Sequence, residues 1–327
     1  MTAPTVLADA RPQAGREALT AAAQRIVTNV ETVVHGRSAA VHLVACALLA
    51  GGHALIEDVP GSGKTTLARA FARSLGGTFS RVQATADLLP ADITGSGVWD
   101  PDSRTFRFVP GPLFAHVVLV DELNRTSPRT QSAFLEAMDE GAVTIDGHRH
   151  ALPDPFCVIA TQNPLEQHGT YPLPEGQLDR FAVCLRLGGL DAQSERLVVR
   201  EQLLRATVDD LNAVVDPVQL QALRSAVRTT YVADAVLDHA LLIVRATRED
   251  PRLALGASSR AAITLVRCAQ ARALLVGRGY VVPDDTKALA PSVLGHRLVL
   301  ADGSSGSRRA EEVVADLVGR VPVPVQG

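Results

Sequence analysis

The chain has 327 residues, which is enough for two domains or for one large core with a smaller domain attached. Its formal net charge is −3 and 46% of its residues are hydrophobic, which is the composition of an ordinary globular protein. This balance argues against a strongly basic nucleic-acid-binding surface but leaves room for a local basic patch. The four cysteines lie far apart without metal-site spacing, so we expect buried, reduced thiols in a cytoplasmic protein. The first residues lack an apolar segment, and a secretory signal is therefore not expected.

Residues 39–56 carry no formal charge, and this uncharged segment has to be considered as a membrane span. Gly51 and Gly52 interrupt it, and glycines are typical of a helix end rather than of the middle of a helix. We therefore predict a buried helix that ends before a short strand, and no membrane span.

The first half of the chain alternates short apolar segments with helical patterns. Strands are predicted at residues 53–58, 78–84, 116–122, 156–162 and 181–187, and helices at residues 64–75 and 128–140. The alternation predicts an α/β fold with a parallel sheet covered by helices on both faces. Ligands of such sheets bind at the carboxyl ends of the strands. Beyond about residue 187 the patterns are mainly helical, which predicts a second domain.

Two segments interrupt the alternation. Residues 87–114 are rich in Gly, Pro and Asp and contain a hairpin-like stretch, so they are interpreted as an insert. Its aromatic residues either pack the insert or contact a partner, and packing is favoured only for Phe114. A second hairpin is predicted at residues 142–153, because Asp146-Gly147 is a residue pair that tight two-residue turns prefer.

The stretch EDVPGSGKTT, residues 57–66, contains most of the phosphate-loop pattern G-x-x-x-x-G-K-[ST]. Gly63, Lys64 and Thr65 match the pattern, whereas Asp58 occupies the first glycine position. The loop follows a predicted strand and opens a predicted helix, so its backbone amides can hold phosphate. Only two of the 32 lysine and arginine residues of the chain are lysines, so arginine is the usual basic residue here. A lysine at position 64 therefore indicates a site shaped for a compact ammonium group rather than for the planar guanidinium group of arginine.

The loop is therefore predicted to bind ATP and Mg²⁺. Lys64 is expected to contact the β- and γ-phosphates, and the Thr65 hydroxyl is expected to hold Mg²⁺. The predicted nucleotide-binding residues of the loop are Pro60, Gly61, Ser62, Gly63, Lys64, Thr65 and Thr66.

Polar residues end two further strands. In VVLVDE, Asp121 and Glu122 close an apolar strand downstream of the phosphate loop, which is the Walker B arrangement. Asp121 is predicted to bind the hydration shell of Mg²⁺, and Glu122 to orient or deprotonate water. Asn163, in ATQNP, ends the next strand, where its amide can bridge to the γ-phosphate or to the attacking water.

These motifs belong to a longer set that covers nearly the whole chain in order. The set comprises LIEDVPGSGKT, DLLPADITG, FVPGPLF, VDELNRTSPRTQSAFLEAMDEG, ATQNPLEQHGTYPLPEGQLDRF, GASSRA and VPDDTKALAPSVLGHRL. On the basis of these motifs, the chain resembles the MoxR family of AAA+ ATPases. The resemblance implies an AAA+ core at residues 1–188, with a helix-2 insert at 87–114 and a hairpin insert at 142–153, followed by a helical lid domain at 189–327.

The resemblance also implies roles for individual residues. Asn163 corresponds to sensor 1, Arg180 in LDRF to an arginine finger, and Arg260 in the lid to a sensor 2 arginine. A contact to the adenine is implied at Val34, His35 and Gly36.

The activity implied by the resemblance is Mg²⁺-dependent ATP hydrolysis in a homo-oligomeric ring, expected to be a hexamer, because an arginine finger acts on the nucleotide of a neighbouring subunit. The ring is expected to remodel or mature client enzyme complexes, in some cases with insertion of a metal cofactor. A separate partner protein with a von Willebrand factor A domain is also implied. The alternative is an AAA+ motor acting on DNA, which the near-zero net charge and the lack of an evident DNA-binding motif disfavour.

Overall fold

The computed structural model of the chain describes residues 11–58, 61–163, 169–203, 208–304 and 308–323. The strands are β1 (His53–Glu57), β2 (Phe79–Gln83), β3 (Gly95–Asp100), β4 (Thr105–Pro110), β5 (Val117–Asp121), β6 (Ala142–Ile145), β7 (His148–Ala151), β8 (Cys157–Gln162), β9 (Phe181–Leu185), β10 (Leu253–Leu255) and β11 (Val299–Leu300). The helices are α1 (Arg11–Glu31), α2 (Ser38–Leu49), α3 (Lys64–Ser74), α4 (Pro90–Thr94), α5 (Pro128–Glu140), α6 (Glu175–Leu178), α7 (Ala192–Leu203), α8 (Pro217–Arg228), α9 (Asp234–Glu249), α10 (Ser259–Leu275), α11 (Pro283–Leu294) and α12 (Arg308–Arg320).

Five strands form one sheet in the order β2-β5-β8-β1-β9, and all neighbouring pairs are parallel. Each of these strands falls in a segment where the sequence predicted one, and α3 and α5 lie at the two predicted helices. The prediction of an α/β fold with a parallel sheet and helices is therefore confirmed.

The sheet separates two hydrophobic cores. Alternate residues of a strand face opposite sides, so in β5 Val117 and Leu119 pack into one core while Val118 and Val120 pack into the other. β5 and β8 are apolar over most of their length because both of their faces are buried. The core that contains Val117 extends into the helices of the second half of the chain.

The uncharged segment forms a buried helix, a turn and a strand, as predicted. α2 ends at Leu49, and Gly51 then adopts a φ of +78°, which lies in the left-handed region that favours glycine. β1 follows at His53. Among the described residues no helix is both long and apolar enough to span a membrane.

Both predicted hairpins are formed. The first insert contains α4 and the antiparallel pair β3/β4, and the second is the antiparallel pair β6/β7. Asp146 and Gly147 have φ angles of +49° and +80°, as a tight turn of the predicted kind requires. The hairpins meet where the ring of Phe108 stacks on His150 with a centroid distance of 4.0 Å.

The second half of the chain is mainly helical, and its helices pack directly against the sheet domain. The side chain of Gln24 in α1 donates to the carbonyl of Leu275 in α10 at 2.9 Å. Val214, before α8, donates its N–H to the carbonyl of Ser74 in α3 at 2.9 Å. The domain boundary at residue 188 remains a prediction, since one continuous hydrophobic core joins the two parts.

All four cysteines are buried and free, in agreement with the expectation of reduced thiols. Burial raises the pKa of Cys157 to about 11 and that of Cys268 to about 12. These thiols therefore stay protonated and unreactive at neutral pH.

The buried side chain of His53 predicts a loss of stability in mild acid. Burial lowers its pKa to about 4, and its Nδ1 accepts from the N–H of Val158 at 2.9 Å, which requires the neutral ring. Because folding favours the neutral form, this contribution is complete above the unfolded-state pKa of 6.5 and is lost as the pH falls toward 4. We expect the free energy of unfolding in urea to decrease by on the order of 3 kcal/mol over this interval from His53 alone.

The matched variants for this measurement are His53→Gln and His148→Gln. His148 lies exposed in the β6/β7 hairpin. The slope of unfolding free energy against pH should flatten only in His53→Gln. An unchanged slope in that variant would contradict the assignment of the acid sensitivity to His53.

Candidate nucleotide-binding and hydrolysis site

The carboxyl ends of the parallel strands bring the predicted phosphate loop and the acidic pair to one edge of the sheet. Glu57 at the end of β1 is in register with Gln162 of β8, and Asp121 at the end of β5 is in register with Gln83 of β2. Asn163 follows β8 directly at the same edge. The sheet thus places the residues predicted on three separate strands in one neighbourhood.

The phosphate loop depends on two glycines. Gly61 and Gly63 have φ angles of +82° and +91°, which residues with a side chain rarely adopt, and α3 begins immediately after them at Lys64. The N–H groups of the first turn of α3 therefore face the loop, where they favour an anion. Pro60 lies outside the described residues.

Lys64 is only 9% exposed, and its Nζ donates to the backbone carbonyl of Asp58 at 3.1 Å. Its ammonium thus lies inside the loop rather than in solvent. The neighbouring residues Thr65 and Thr66 are half-buried in the first turn of α3. This placement agrees with the compact cation expected from the sequence.

Asp58 has a structural role at the position where the phosphate-loop pattern has its first glycine. Its carboxylate accepts from the N–H groups of Leu187 and Gly188 at 3.1 and 3.2 Å. The start of the loop is thereby tied to the segment that follows β9. A glycine there would leave those two amides without this acceptor.

The residues of the loop fit a nucleotide phosphate. The Oγ atom of Ser62 is buried and has no hydrogen-bond partner among the described groups. A phosphate oxygen would supply that partner, because burying an unpaired hydroxyl is otherwise costly. Oxygen ligands from Thr65 and Asp121 are of the type that Mg²⁺ prefers.

Asp121 is held by residues that the sequence analysis did not assign. It is 6% exposed, and Arg81 of β2 donates to its Oδ2 atom at 2.7 Å. The buried hydroxyl of Thr161 lies 3.4 Å from its other oxygen, Oδ1. Arg81 and Thr161 belong to predicted strands, but which carboxylate they meet depends on the strand order.

Glu122 has an unusual backbone conformation. Its φ of +60° lies in the left-handed region, which is uncommon for a residue with a side chain and often marks a functional site. Its N–H donates to Thr161 Oγ1 at 2.9 Å, and its carboxylate lies 3.2 Å from Arg125 and 3.3 Å from the Gln83 amide.

A second buried carboxylate, Glu57, lies just before the loop. Burial raises its pKa, while its ion pair with Arg186 and a 2.7 Å hydrogen bond from Gln162 act against that change. Arg186 also bonds to Glu311 of α12 at 2.7 Å. Through its contacts with Glu57 and Glu311, Arg186 connects the edge of the sheet that carries the phosphate loop to the helical part of the chain.

The implied adenine-contacting residues lie in the turn between α1 and α2. Gly36 has a φ of +67°, and a Cβ atom there would lie 2.5 Å from Ser194 Oγ, so the turn packs tightly on α7. Arg37, the next residue, donates to the carbonyl of Gly188 at 2.8 Å, and Gly188 in turn donates to Asp58. Val34 is buried and His35 half-buried beside this connection. The turn is thereby linked to the phosphate loop.

Arg180 and Arg260 lie at the opposite edge of the sheet. Arg180 precedes β9, whose first residue Phe181 is in register with His53, the first residue of β1. Arg260, in the first turn of α10, reaches the same place through an ion pair with Asp139. β1 alone separates the two edges by about 13 Å, so neither arginine is at the phosphate loop of its own chain.

The two arginines border a cavity of about 250 Å³. It is lined by Ala50, Gly51, Gly52, His53, Met138, Asp139, Asp179, Arg180, Ala182, Arg260, Ile263, Thr264 and Arg267. Asp139 ion-pairs with both Arg180 and Arg260 but was not assigned from the sequence, although it lies within one of the motifs. Only the tertiary structure shows that these groups are neighbours.

The parallel sheet, the phosphate loop and the acidic strand end define a nucleotide-binding protein of the P-loop class with an attached helical part. Residues 53–183 match the model of the "ATPase family associated with various cellular activities (AAA)", and residues 245–317 match that of the "AAA lid domain".

Three comparisons support a narrower assignment. The chain is 36% identical to Chaperone MoxR1 of Mycobacterium tuberculosis, over 94% of this chain and 84% of that protein. It is 45% identical to the uncharacterized protein YeaC of Bacillus subtilis, over 92% and 95% of the two chains. The crystal structure of a candidate ATPase from Cytophaga hutchinsonii is 32% identical with a TM-score of 0.87, covering 96% of this chain and 98% of that one. The chain belongs to the MoxR family of AAA+ ATPases, as the sequence motifs indicated.

Proposed function

We propose that the protein hydrolyses ATP with Mg²⁺ as one subunit of a ring and uses the hydrolysis to remodel partner proteins. The observation that carries the proposal is the division of the site between two edges. Lys64, Asp121 and Glu122 lie at one edge of the sheet, and Arg180 and Arg260 lie at the other. A complete site therefore requires two subunits.

At the first edge, the chain supplies the groups that bind and orient ATP. The loop amides and Lys64 bind the phosphates, and Thr65 with Asp121 would hold Mg²⁺. When bound, Mg²⁺ neutralises charge on the β- and γ-phosphates. Arg81 already holds the Asp121 carboxylate in place from the β2 side.

Glu122 and Asn163 act on the attacking water. The carboxylate of Glu122 accepts a proton from the water or orients it, while the Asn163 amide contacts the water or the γ-phosphate. The contacts of the Glu122 carboxylate with Arg125 and Gln83 support this role because they restrain its direction. The N–H bond to Thr161 holds the backbone.

Arg180 and Arg260 act on the nucleotide of the neighbouring subunit. Each donates N–H groups to the γ-phosphate and stabilises the charge that develops as the phosphoryl group is transferred. An interface that joins opposite edges of identical subunits is heterologous, and it forms a ring when the rotation from one subunit to the next closes. A hexamer is the ring size that we propose.

The two hairpins and α4 are candidates for contact with a client. Trp99 and Phe106 form an aromatic pair on β3/β4 with 51% and 73% of their surfaces exposed. Exposed aromatic residues of this kind are typical of interaction sites. The similarity to a protein named a chaperone favours a protein client, and we propose a cytoplasmic maturation role with a separate von Willebrand factor A domain partner.

The proposal is tested by the ATPase rate per subunit measured against protein concentration, with and without Mg²⁺. A rate that rises with concentration and requires Mg²⁺ is expected, because assembly completes the site. A parallel series with DNA tests the alternative motor. Strong stimulation of the ATPase rate by DNA would favour a motor acting on DNA over a protein remodeller. A rate per subunit that does not depend on protein concentration would contradict the proposed ring.

A further inference from the structure

One carboxylate lies between the two arginines. Asp139, near the end of α5, accepts from Arg180 Nε at 2.5 Å on one oxygen and from an Arg260 Nη atom on the other. The two arginines come from different parts of the chain, one from the segment before β9 and one from the first turn of α10. Asp139 is therefore a direct link between the sheet domain and the helical part at this point.

Asp139 leaves both arginines able to bind a phosphate. A guanidinium has five N–H groups, of which Arg180 uses one for Asp139 and one for the carbonyl of Gly176 at 2.6 Å. The Arg260 side chain is 53% exposed and uses one nitrogen for Asp139. Each side chain thus has further donors available beyond the shared carboxylate.

The Asp139 carboxylate also offsets the repulsion between the two positively charged guanidinium groups. Two guanidinium groups bonded to the same carboxylate lie within about 7 Å of each other, where like charges repel. Burial alone would raise the pKa of Asp139, but the hydrogen bonds from Arg260 and Arg180 outweigh it and lower the pKa. The carboxylate therefore remains ionised and offsets the repulsion.

Neighbouring contacts dock the start of α10 against the segment that carries Arg180. Ser258, the N-cap of α10, donates from Oγ to Asp179 at 3.4 Å, and the buried Arg297 donates to the same carboxylate at 2.7 Å. These contacts fix the backbone at the start of α10 relative to the backbone at Asp179, next to Arg180. Asp139 holds the directions of both arginine side chains, together with the Gly176 carbonyl in the case of Arg180.

We propose that Asp139 is a positioning residue that holds Arg180 and Arg260 side by side as one unit, so that both reach the γ-phosphate of the neighbouring subunit's ATP. The inference rests on the proposed function of the two arginines. It adds a third residue, on a third element, whose side chain does not itself touch the nucleotide.

The test compares Asp139→Asn with the wild-type protein. We expect the turnover number to fall by roughly tenfold to a hundredfold, because a small misplacement of an orienting group has effects of that size. At protein concentrations too low for assembly, the dissociation constant for a fluorescent ATP analogue should change by less than about twofold, since the site that binds the nucleotide is at the other edge of the subunit. Asp139→Glu should recover part of the turnover.

The neighbouring residue on α5 provides a matched control. Glu140 lies 3.7 Å from Arg149 in an exposed ion pair and has no ion pair with Arg180 or Arg260 among those described. Glu140→Gln removes the same charge from the same helix and should leave the turnover number unchanged.

A variant without either arginine separates positioning from general destabilisation. If Asp139 acts only through Arg180 and Arg260, adding Asp139→Asn to Arg180→Ala/Arg260→Ala should slow turnover by no more than about a further twofold, whereas independent effects would multiply. A full additional loss in this triple variant would overturn the inference, as would an Asp139→Asn protein that turns over at or above the wild-type rate. Arg180→Ala at the wild-type rate would instead overturn the proposed function, and the inference with it.

Discussion

Glu122→Gln should lower the ATP turnover number by roughly a hundredfold or more, the usual contribution of a positioned general base. The amide has nearly the shape of the carboxylate but cannot accept the proton of the attacking water. The backbone of Glu122 is held by its N–H bond to Thr161, which the substitution does not remove. The fold and the phosphate loop should therefore be intact, and ATP should still bind.

The measurement combines steady-state turnover with equilibrium binding of a fluorescent ATP analogue. Glu249→Gln, at the exposed end of α9, serves as the control with the same chemical change. Wild-type turnover in Glu122→Gln would contradict the role of Glu122. Loss of ATP binding would instead show that the carboxylate is needed to form the site.

Arg180→Ala should lower turnover by about a thousandfold, the lower end of the range for an arginine finger. The ATP affinity of the unassembled subunit, measured at low protein concentration, should change little, because Arg180 is at the sheet edge remote from the phosphate loop of its own chain. Arg180→Lys should recover little of the rate, since lysine lacks the planar fork that bonds to both Asp139 and Gly176.

The control for this variant is Arg308→Ala, which removes an exposed arginine that pairs with Glu312 within α12. Its turnover should equal that of the wild-type protein. A wild-type rate in Arg180→Ala would show that the charge on the transferred phosphoryl group is stabilised by another residue.

Local sequence patterns were sufficient for the five strands of the parallel sheet, the helices α3 and α5, and the two hairpins. Strands buried on both faces are continuously apolar, as in β5, and the pair Asp146-Gly147 specifies its turn by backbone preference alone. The strand order β2-β5-β8-β1-β9 was not predictable in the same way. It depends on pairing between residues far apart in the chain.

In the candidate site, too, some residues were predictable from local sequence and others depend on how distant elements pack. Lys64, Asp121 and Glu122 belong to short motifs whose chemistry can be read from neighbouring residues. The partners of these motifs come from other elements, as Arg81 does for Asp121 and Asp139 does for Arg180. Their sequence positions carry no sign of these contacts, because each contact arises only when the elements pack together.

The most direct test of a site shared between subunits is the ATPase rate of a mixture of Glu122→Gln and Arg180→Ala subunits, combined before ATP is added. Glu122→Gln subunits retain the arginine and Arg180→Ala subunits retain the hydrolytic carboxylate, so about a quarter of the interfaces in a randomly mixed ring contain both. The account predicts that the equimolar mixture recovers up to about this fraction of the wild-type rate, far above either variant alone. A mixture no faster than the average of its two components would contradict the account.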